Sequence, residues 1–369
     1  MRAAVLRTMP GPLTVEDLEI DAPAPHEVLI RTVGAGLCHS DLHVIEGKLP
    51  MPTPTVLGHE SAGVVEAVGR DVTYVAPGDH VITCISAFCG QCEYCLSGRP
   101  SLCETSGTER VEGEPPRLTM DGTPIVQFAG LSGFAEQMLV HERAVAKIRP
   151  DMPLDRAALI GCAVTTGVGA VHRTAQVPPG STVAVIGCGG VGLNVIQGAA
   201  LAGAGRVVAI DTNPAKLALA EQFGATDLVD ASADDPVKAV RRLFPADAAL
   251  GVAGKGVDHA FEAIGLKATA EQAFKMIKRG GTATLIGVFT PGTTIELDGF
   301  SFLSEKKIQG TNMGSNRFRQ DMAHYVDFYL QGRLKLDELV SARISLDQVN
   351  EGFDAMLRGE VARSVIVFD

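Results

Sequence analysis

A glycine-rich turn between a strand and a helix is the feature that most constrains how this chain can fold. Residues 182–186 are almost entirely apolar and predict a buried parallel strand. Residues 187–192 then fit the pattern G-x-G-x-x-G and open a predicted helix over 191–202. A second predicted strand, at 206–210, ends at Asp211. A strand, glycine turn, helix, strand and acid in this order predict part of a doubly wound parallel sheet, an α/β fold.

The same turn predicts a site for a dinucleotide. In this pattern Gly187 allows the tight turn, Gly189 lets the backbone approach a pyrophosphate, and Gly192 lets the helix pack on the strand. The N-terminus of the predicted helix, directly after Gly190, offers free N–H groups and the positive end of its dipole to the phosphates. Asp211 can accept hydrogen bonds from both adenosine ribose hydroxyls and would repel a 2′-phosphate, which favours NAD over NADP. A glycine-rich turn without a ligand is the alternative interpretation.

Strands and helices continue to alternate after Asp211, whereas the first 150 residues follow another pattern. The alternation predicts helices and strands in turn at 214–223, 256–262, 268–277 and 282–286. Earlier in the chain, short apolar runs separated by turn residues predict a largely β domain, with strands such as 27–33, 61–68 and 80–83. The tail predicts a helix at 321–331 and a last strand at 364–368. The stretch 104–130 has no periodic pattern and is expected to form a long loop.

Composition excludes several classes of function. The chain has 369 residues, which predicts two or three domains, and 46% of them are apolar, enough for a sizeable core. The net charge of −11 argues against nucleic acid as a partner, because neutralising phosphates requires an excess of basic residues. Tryptophan is absent and aromatic residues make up only 5%, so a stacking platform for bases is not expected either.

The sequence favours a cytoplasmic protein that does not cross a membrane. The first residues show no long apolar run of the kind that marks a secretory signal. The uncharged stretch 182–205 is long enough to raise the question of a membrane span. Its repeated glycines and the polar Asn194 and Gln197 favour a buried strand, a turn and a buried helix instead.

Four cysteines within fifteen positions predict a structural metal site. They are Cys89, Cys92, Cys95 and Cys103. Four thiolates are a closed tetrahedral set for zinc, and crowded cysteines in a reducing compartment favour metal over disulfides. An iron–sulfur cluster and two disulfides remain alternatives. Cys84 lies nearby but fits no ligand spacing, and it is expected to be a small buried residue.

A second set of metal-binding side chains is spread through the chain. Cys38, His59 and Cys162 could together supply two thiolates and one imidazole. A Cys₂His set with a fourth position open is a catalytic zinc arrangement, in which the open position takes water or an alcohol oxygen and lowers its pKa. Each of these residues taken alone would be an ordinary core or loop residue.

The motifs occur in the order found in the zinc-dependent medium-chain alcohol dehydrogenases, which the chain resembles over essentially its whole length. The resemblance rests on residues 58–65, 38–41, the four-cysteine lobe and the turn at 187–192. It implies a GroES-like, β-rich catalytic domain built from residues 1–163 and 313–369, with the structural zinc lobe at 89–103. It also implies a Rossmann NAD-binding domain at 164–312 and an active site in the cleft between the two domains.

The resemblance implies a role for each matching residue. Cys38, His59 and Cys162 would be the catalytic zinc ligands, Glu60 a carboxylate near the metal, and Asp41 the acid that orients His59. Ser40 would take the alcohol proton and His43 would be the outer end of the proton relay. For the coenzyme, the matching residues are His39 and Arg363 at the pyrophosphate, Lys216 at the adenosine ribose, and Val191 and Thr166 at the nicotinamide. For Arg363 an ordinary surface charge before the last strand is the alternative.

The implied activity is reversible hydride transfer between a primary alcohol or aldehyde and NAD, with two zinc ions per chain. One branch of the family oxidises the formaldehyde adduct of a thiol, and it typically carries Arg where this chain has Gly107 and Tyr where it has His43. These departures disfavour that alternative. A non-catalytic zinc and nucleotide-binding protein on the same fold is a third interpretation. In this family a long stretch at the place between Cys103 and Cys162 goes with dimers, so the resemblance implies a homodimer. The candidate apolar walls of the substrate pocket are Leu49, Met51, Phe88, Leu131, Phe289 and Met313.

Overall fold

The chain divides into two compact units in a computed structural model that describes residues 1–105, 107–111, 113–245, 256–360 and 362–368. The first unit contains residues 1–165 and 317–369, and the second contains residues 166–316. The α/β fold class expected from the sequence is confirmed, with a β-rich first unit and a parallel sheet in the second.

The first unit is built around a seven-stranded sheet. Its strands in spatial order are Val145–Ile148, His80–Thr83, Glu60–Val68, Glu27–Gly36, Arg363–Val367 and Val340–Ile344, with Gln137–His141 also paired to Glu27–Gly36. Burial alternates over residues 28–33 of this strand, with Val28 and Ile30 buried and Arg31 exposed, as a strand with one face on the core requires. The pairing sets Gly36 opposite both Glu60 and Val365.

Shorter elements complete the first unit. Its other strands are Arg2–Leu6, Leu13–Asp17, Glu19–Ile20, Thr55–Val56, Leu118–Met120, Thr123–Pro124 and Val126–Gln127. Its helices are His39–Ile45, Glu93–Leu96, Leu154–Leu159, Phe318–Leu330 and Val349–Leu357, together with the π-helix Ile160–Val164. Short 3₁₀ turns lie at Pro100–Leu102, Phe128–Gly130, Glu142–Ala144 and Leu346–Gln348.

The second unit is a six-stranded parallel sheet with helices between its strands. The spatial order is Asp227–Asp230, Arg206–Asp211, Thr182–Ile186, Val257–Glu262, Ile277–Leu285 and Lys307–Gly310. Its helices are Gly190–Leu201, Pro214–Gln222, Pro236–Leu243 and Lys267–Met276, with Thr165–Gly169 and the π-helix Ala170–Ala175 leading in from the first unit. Two 3₁₀ helices, Gly299–Ser304 and Met313–Ser315, flank the last strand. The central strands are apolar because both faces of such a sheet are covered.

One expectation about local structure is wrong, and part of the tail was not predicted. The stretch 104–130 is not a loop throughout, because its second half forms three short strands that join two small sheets. The helix Val349–Leu357 was not predicted, although it buries Val349, Phe353 and Met356. The stretch 182–205 folds into the predicted strand, turn and helix.

Among the residues that the structure describes, one helix is long and apolar enough to cross a membrane. It is Leu154–Ala175, with 22 residues, and 89% of its most apolar window is buried inside the protein. Burial of that kind is typical of a core helix, and it also explains why the sequence of this stretch resembles a membrane span.

Two arginines from the expected loop converge on one buried glutamate. Glu27 is 3% exposed, and its carboxylate accepts hydrogen bonds from Arg110 Nε at 3.0 Å and Arg117 Nε at 2.7 Å. Burial alone would raise the pKa of Glu27, but the arginines and the Ala24 N–H lower it to about 2. Arg110 also pairs with Asp21 at 2.5 Å. The cluster therefore fastens Arg110 and Arg117 to the start of the interior strand Glu27–Gly36.

We expect Glu27→Gln to lower the free energy of unfolding by about 3 kcal/mol at pH 7, because the buried Arg117 loses its carboxylate and Arg110 keeps only Asp21. The folded-state pKa of Glu27 lies below its usual value near 4.5, so its contribution is fully present above that pH and is lost as pH falls toward about 2. Urea denaturation at several pH values should show the two proteins converging in acid. Glu16→Gln, which breaks a more exposed pair with Arg7, should cost less than about 1 kcal/mol. An equal loss for both variants would contradict this role.

Candidate metal and coenzyme sites

Three side chains from distant parts of the chain form a metal-binding cluster in the first unit. The ligand atoms of Cys38, His59 and Cys162 all lie within 4.8 Å of one another, and each residue is at most 6% exposed. Cys38 directly precedes the helix His39–Ile45, and His59 directly precedes the strand Glu60–Val68. Cys162 lies in the π-helix Ile160–Val164, a distortion that is common at functional sites. Two thiols and an imidazole match an open catalytic zinc site.

Asp41 fixes the orientation of the histidine. Its Oδ1 accepts hydrogen bonds from His59 Nδ1 at 3.1 Å and from the Gly58 N–H at 3.0 Å, and Asp41 is completely buried. Burial alone would lower the pKa of His59, but the Asp41 carboxylate and the Cys38 sulfur raise it well above its usual value. Because Nδ1 is committed to Asp41, Nε2 is the nitrogen left to bind a metal.

The cysteines of this cluster have unequal acidity. A hydrogen bond from the Cys162 thiol lowers the pKa of Cys38 well below its usual value, with help from the charges of Arg363 and His59. The pKa of Cys162 is raised correspondingly. The thiolate is the form that binds metals, so Cys38 is prepared for a cation before the cation arrives.

A buried glutamate and a buried arginine lie behind the cluster. Glu60 Oε1 accepts a hydrogen bond from the Ala163 N–H at 2.9 Å, and its Oε2 lies 3.7 Å from Arg363 Nε. Burial raises the pKa of Glu60 to about 7, although Arg363 opposes the rise. Gly36 makes room for this carboxylate, since a Cβ there would lie 2.6 Å from Glu60 Oε2.

Arg363 is not the ordinary surface charge that was one of the two expectations for it. It is 2% exposed, its Nη1 donates to the Leu37 carbonyl at 3.1 Å, and its Nη2 lies 4.0 Å from Cys38 Sγ. A guanidinium buried at this point offsets the negative charge that two thiolates and a carboxylate would bring together.

The expected relay residues lie on one short helix beside the cluster. Ser40 Oγ is 3.9 Å from Cys38 Sγ, and His43 follows three residues later on the helix His39–Ile45. Residues three apart share a helix face, so Ser40 and His43 lie on the same side. Both are partly exposed, and His39 is exposed. The helix can therefore connect the cluster to solvent.

The four clustered cysteines form the second metal site. Their sulfurs lie within 4.8 Å of one another, and the shortest contacts given are 3.8 and 3.9 Å, far too long for disulfide bonds. The alternative of two disulfides is therefore wrong. Backbone N–H groups of Gln91 and Cys92 point at Cys89 Sγ and help lower its pKa to about 6, which favours thiolate. Cys84 is completely buried and burial raises its pKa to about 11, as expected of a core residue.

The glycine-rich turn of the second unit is shaped for a ligand. Gly187 has φ of +94°, and a Cβ on Gly192 would lie 1.7 Å from the Gly187 carbonyl oxygen, so both positions require glycine. A Cβ on Gly189 would meet nothing within 4 Å, which means that this backbone faces open space. The helix Gly190–Leu201 starts here with its N–H groups toward that space.

The remaining predicted coenzyme residues in the second unit lie around this turn or near the start of the unit. Asp211 ends its strand, and its Oδ2 accepts a hydrogen bond from the Cys188 N–H at 2.8 Å. Lys216 is partly exposed on the following helix, and Val191 is partly exposed at the start of Gly190–Leu201. Thr166 is 8% exposed, with its hydroxyl 3.4 Å from the Met313 sulfur.

One side chain near the metal cluster was missed in the sequence. The Phe128 ring lies edge-on to the His59 ring with 5.4 Å between centroids, and it packs in the same cluster as Leu49 and Met51. Phe128 falls within the stretch expected to be a loop, so no periodic signal identified it. Of the other candidate walls, Leu131 is completely buried and Phe88 packs on Phe318. Phe128 is therefore the apolar side chain that the described contacts place against the cluster.

A β-rich unit with an open Cys₂His cluster and a Cys₄ lobe, joined to a parallel-sheet unit with a glycine-rich turn, defines a zinc-binding dehydrogenase. Residues 24–151 match the alcohol dehydrogenase GroES-like domain, and residues 190–330 match the zinc-binding dehydrogenase domain. The chain therefore belongs to the zinc-dependent medium-chain alcohol dehydrogenase family, whose usual coenzyme is NAD, and it is an oxidoreductase acting on CH–OH groups. Its two clusters fit two zinc ions.

Individual relatives cover the whole chain. The S-(hydroxymethyl)glutathione dehydrogenase of Haemophilus influenzae is 41% identical over 99% of this chain and 96% of its own length, and one from Escherichia coli is 40% identical over 99% of both. Among solved structures, an alcohol dehydrogenase zinc-binding domain protein from Burkholderia ambifaria has a TM-score of 0.93 at 34% identity, covering 100% of this chain and 98% of that one. Benzyl alcohol dehydrogenase from Acinetobacter calcoaceticus has a TM-score of 0.92 at 30% identity, covering 100% and 99%.

Proposed function

We propose that this protein interconverts a primary alcohol of moderate apolar size and its aldehyde, with NAD as hydride acceptor. The observation that carries the proposal is the buried set of Cys38, His59 and Cys162, whose three ligand atoms converge while a tetrahedral metal needs four. The alcohol loses a hydride to the nicotinamide and a proton to the protein. Zinc held by these three residues would supply Lewis acidity that lowers the pKa of the alcohol hydroxyl.

The chain's own residues position the reactants and move the proton. Ser40 Oγ accepts the hydroxyl proton while it gives up its own proton toward His43, which passes a proton to solvent from the same helix face. Asp41 holds the imidazole of His59 in one orientation through its hydrogen bond to Nδ1. Glu60 provides a carboxylate that can approach the metal, and the pyrophosphate contacts expected of His39 and Arg363 stay predictions from the resemblance.

We expect Asp211→Gly to weaken NAD binding about tenfold and to relax discrimination against NADP. The Asp211 carboxylate ends its strand beside the glycine-rich turn, and from there it would accept ribose hydroxyls and repel a 2′-phosphate. Steady-state kinetics with both coenzymes measures the ratio of their kcat/KM values. Asp230→Gly, at the end of the neighbouring strand, is the matched control and should leave the ratio unchanged. An unaltered preference in the Asp211 variant would overturn the role given to this residue.

The choice of an apolar alcohol rests on side chains near the cluster. Phe128 presents an aromatic ring against His59, and Leu49 and Met51 pack on the same apolar core as Phe128. A thiol adduct such as S-(hydroxymethyl)glutathione, on which the named relatives act, carries carboxylates that call for a cation. Gly107 offers none, and the neighbouring Arg110 is 10% exposed and bound to Glu27 and Asp21. The names of the relatives nevertheless make the thiol adduct the second candidate substrate.

A substrate panel on zinc-loaded protein tests these candidates. Benzyl alcohol, straight-chain primary alcohols and S-(hydroxymethyl)glutathione are compared with NAD and NADP. We expect the highest kcat/KM with an apolar primary alcohol and NAD, whereas a preference for the glutathione adduct would reverse the proposal. Two zinc ions per chain without alcohol-dependent NADH formation would favour a non-catalytic zinc and nucleotide-binding protein.

We also propose that the protein acts in the cytoplasm as a homodimer. Phe300 and Leu303 are each 78% exposed on the 3₁₀ helix Gly299–Ser304, next to the edge strand Lys307–Gly310. An open strand edge flanked by apolar side chains is suited to pairing with a second copy across a two-fold axis. Light scattering should give twice the chain mass of 38.7 kDa, and Leu303→Glu should shift it toward the monomer. A monomeric wild-type protein would contradict the dimer.

The unpaired cysteines, which need a reducing compartment, support the cytoplasmic location.

A further inference from the structure

Glu262 lies where the strand order of the parallel sheet reverses. It is the last residue of Val257–Glu262, which pairs with the central strand Thr182–Ile186. After Thr182–Ile186 the next two strands are added on one side of it. The chain then crosses back, and Val257–Glu262 is the first strand on the other side. In open parallel sheets, ligands bind outside the carboxyl ends of the strands at such a point. The glycine-rich turn forms one side of this crevice, and residues 262–265 form the other.

The side chain of Glu262 accepts hydrogen bonds from the backbone of the turn that follows it, residues 262–265. It is completely buried, and its Oε1 accepts hydrogen bonds from the Ile264 N–H at 2.9 Å, the Gly265 N–H at 2.8 Å and the Thr269 hydroxyl at 2.8 Å. Its Oε2 has no hydrogen-bond partner among the described residues. Hydrogen bonds to a charged carboxylate are stronger than those to a neutral group, so a single oxygen fastens the turn to the helix Lys267–Met276.

The turn held by Glu262 is packed directly against the glycine-rich turn. A Cβ on Gly187 would lie 2.6 Å from Ile264 Cγ1, and the Ala263 N–H donates to the Ile186 carbonyl at 2.9 Å. On its other side, a Cβ on Gly287 would lie 2.1 Å from the Gly265 nitrogen. The turn is therefore confined on both sides, and any displacement of it moves the backbone that faces the ligand.

Apolar side chains on this side of the crevice are exposed. Ile264, Leu266 and Val288 are 42%, 56% and 47% exposed, respectively. Neighbouring exposed apolar side chains are typical of a surface that a ligand covers. Ile264 and Leu266 belong to the turn or directly follow it, so their placement depends on Glu262.

We propose that Glu262, with Thr269, is a positioning residue that sets the affinity of this protein for its dinucleotide. The carboxylate holds the 262–265 turn, and with it Ile264, in the position that completes the crevice opposite the glycine-rich turn. This inference rests on the proposed binding of NAD. Glu262 touches no reacting atom, so its effect should appear in coenzyme binding and not in the use of the alcohol.

Three single variants test this proposal: Glu262→Gln, Thr269→Val and Glu271→Gln. The first keeps the shape but removes the charge, and the second removes one donor to the same oxygen. The third is the matched control, because Glu271 is a partly buried acid on the same helix whose carboxylate instead accepts the Glu296 N–H. Isothermal titration with NADH gives the dissociation constant directly, and steady-state kinetics separates the KM for NAD from the KM for the alcohol.

We expect Glu262→Gln to raise the NADH dissociation constant and the KM for NAD about tenfold, and Thr269→Val about threefold. The KM for the alcohol and the zinc content should stay at wild-type values, and Glu271→Gln should bind NADH within about twofold of wild type. Equal NADH affinity in the wild type and Glu262→Gln would overturn the proposal. If Glu262→Gln does not fold, a wild-type NADH dissociation constant in Thr269→Val would overturn the proposal. Failure of the wild type itself to bind NADH would instead overturn the proposed function.

Discussion

Cys38→Ser should lose turnover by roughly a thousandfold or more while the protein still binds NADH. Serine is a poor zinc ligand compared with the thiolate, so one of the two metal ions is expected to be lost. Removing a Lewis acid that supplies several kcal/mol of charge stabilisation costs a factor of ten for each 1.4 kcal/mol. His59→Ala should behave in the same way, because it removes the imidazole that Asp41 orients. Elemental analysis, NADH titration and alcohol oxidation rates measure the three quantities on one preparation.

The control for this experiment is Cys84→Ala. Cys84 is completely buried, and its sulfur belongs to neither cysteine cluster found among the described residues. Its loss should leave both zinc ions and the rate of alcohol oxidation in place. Near-normal turnover by Cys38→Ser with only one zinc bound would contradict the catalytic role of the Cys38, His59 and Cys162 cluster.

The parts of the molecule that the sequence predicts well are those encoded by neighbouring residues. The glycine-rich turn combines short spacing, a preceding apolar run and a following helix, and the structure has the strand at Thr182–Ile186 and the helix at Gly190–Leu201. The Cys₄ cluster likewise follows from spacing alone, because its ligands lie within one short segment. Local geometry in these segments leaves few alternatives.

The open cluster could be predicted only through the resemblance to a family. Nothing in the spacing of Cys38, His59 and Cys162 brings them together, and each taken alone would be an ordinary core residue. They meet in the first unit. Cys38 directly precedes a helix there, His59 directly precedes a strand, and Cys162 lies on a π-helix. A π-helix has no sequence signature that separates it from an α-helix, so the placement of Cys162 could not be derived from its neighbours.

Buried charges were the least predictable feature. Arg363 and Glu60 are far apart in sequence, and the environment of each depends on the other. Glu27, Arg110 and Arg117 present the same difficulty, since both arginines come from a stretch without periodicity. An isolated charged residue in a sequence predicts exposure, because burial of a charge requires a partner, and only the folded chain identifies that partner.

Cys95→Ala should destabilise the protein while leaving the Cys38, His59 and Cys162 cluster able to hold its metal. The helix Glu93–Leu96 buries no residue and Leu96 is 75% exposed, so this lobe has little apolar surface to hold it together. Metal binding is then the main source of its order, as in small zinc domains. We expect a loss of about 3 kcal/mol or more, which lowers the melting temperature by roughly 10 °C. The hydrogen bond from Arg317 Nε to the Gly98 carbonyl, at 2.9 Å, does not depend on the metal and should remain.

The two cysteine variants should therefore separate stability from catalysis. Cys95→Ala should show a lower melting temperature and rapid proteolysis within residues 90–102, but activity for as long as the protein stays folded. Cys38→Ser should show the reverse, with a melting temperature closer to that of the wild type and no measurable turnover. Differential scanning calorimetry, limited proteolysis and zinc content decide the comparison. If Cys95→Ala kept its melting temperature and its resistance to protease, the Cys₄ lobe would be held by protein contacts and its metal would have no structural role.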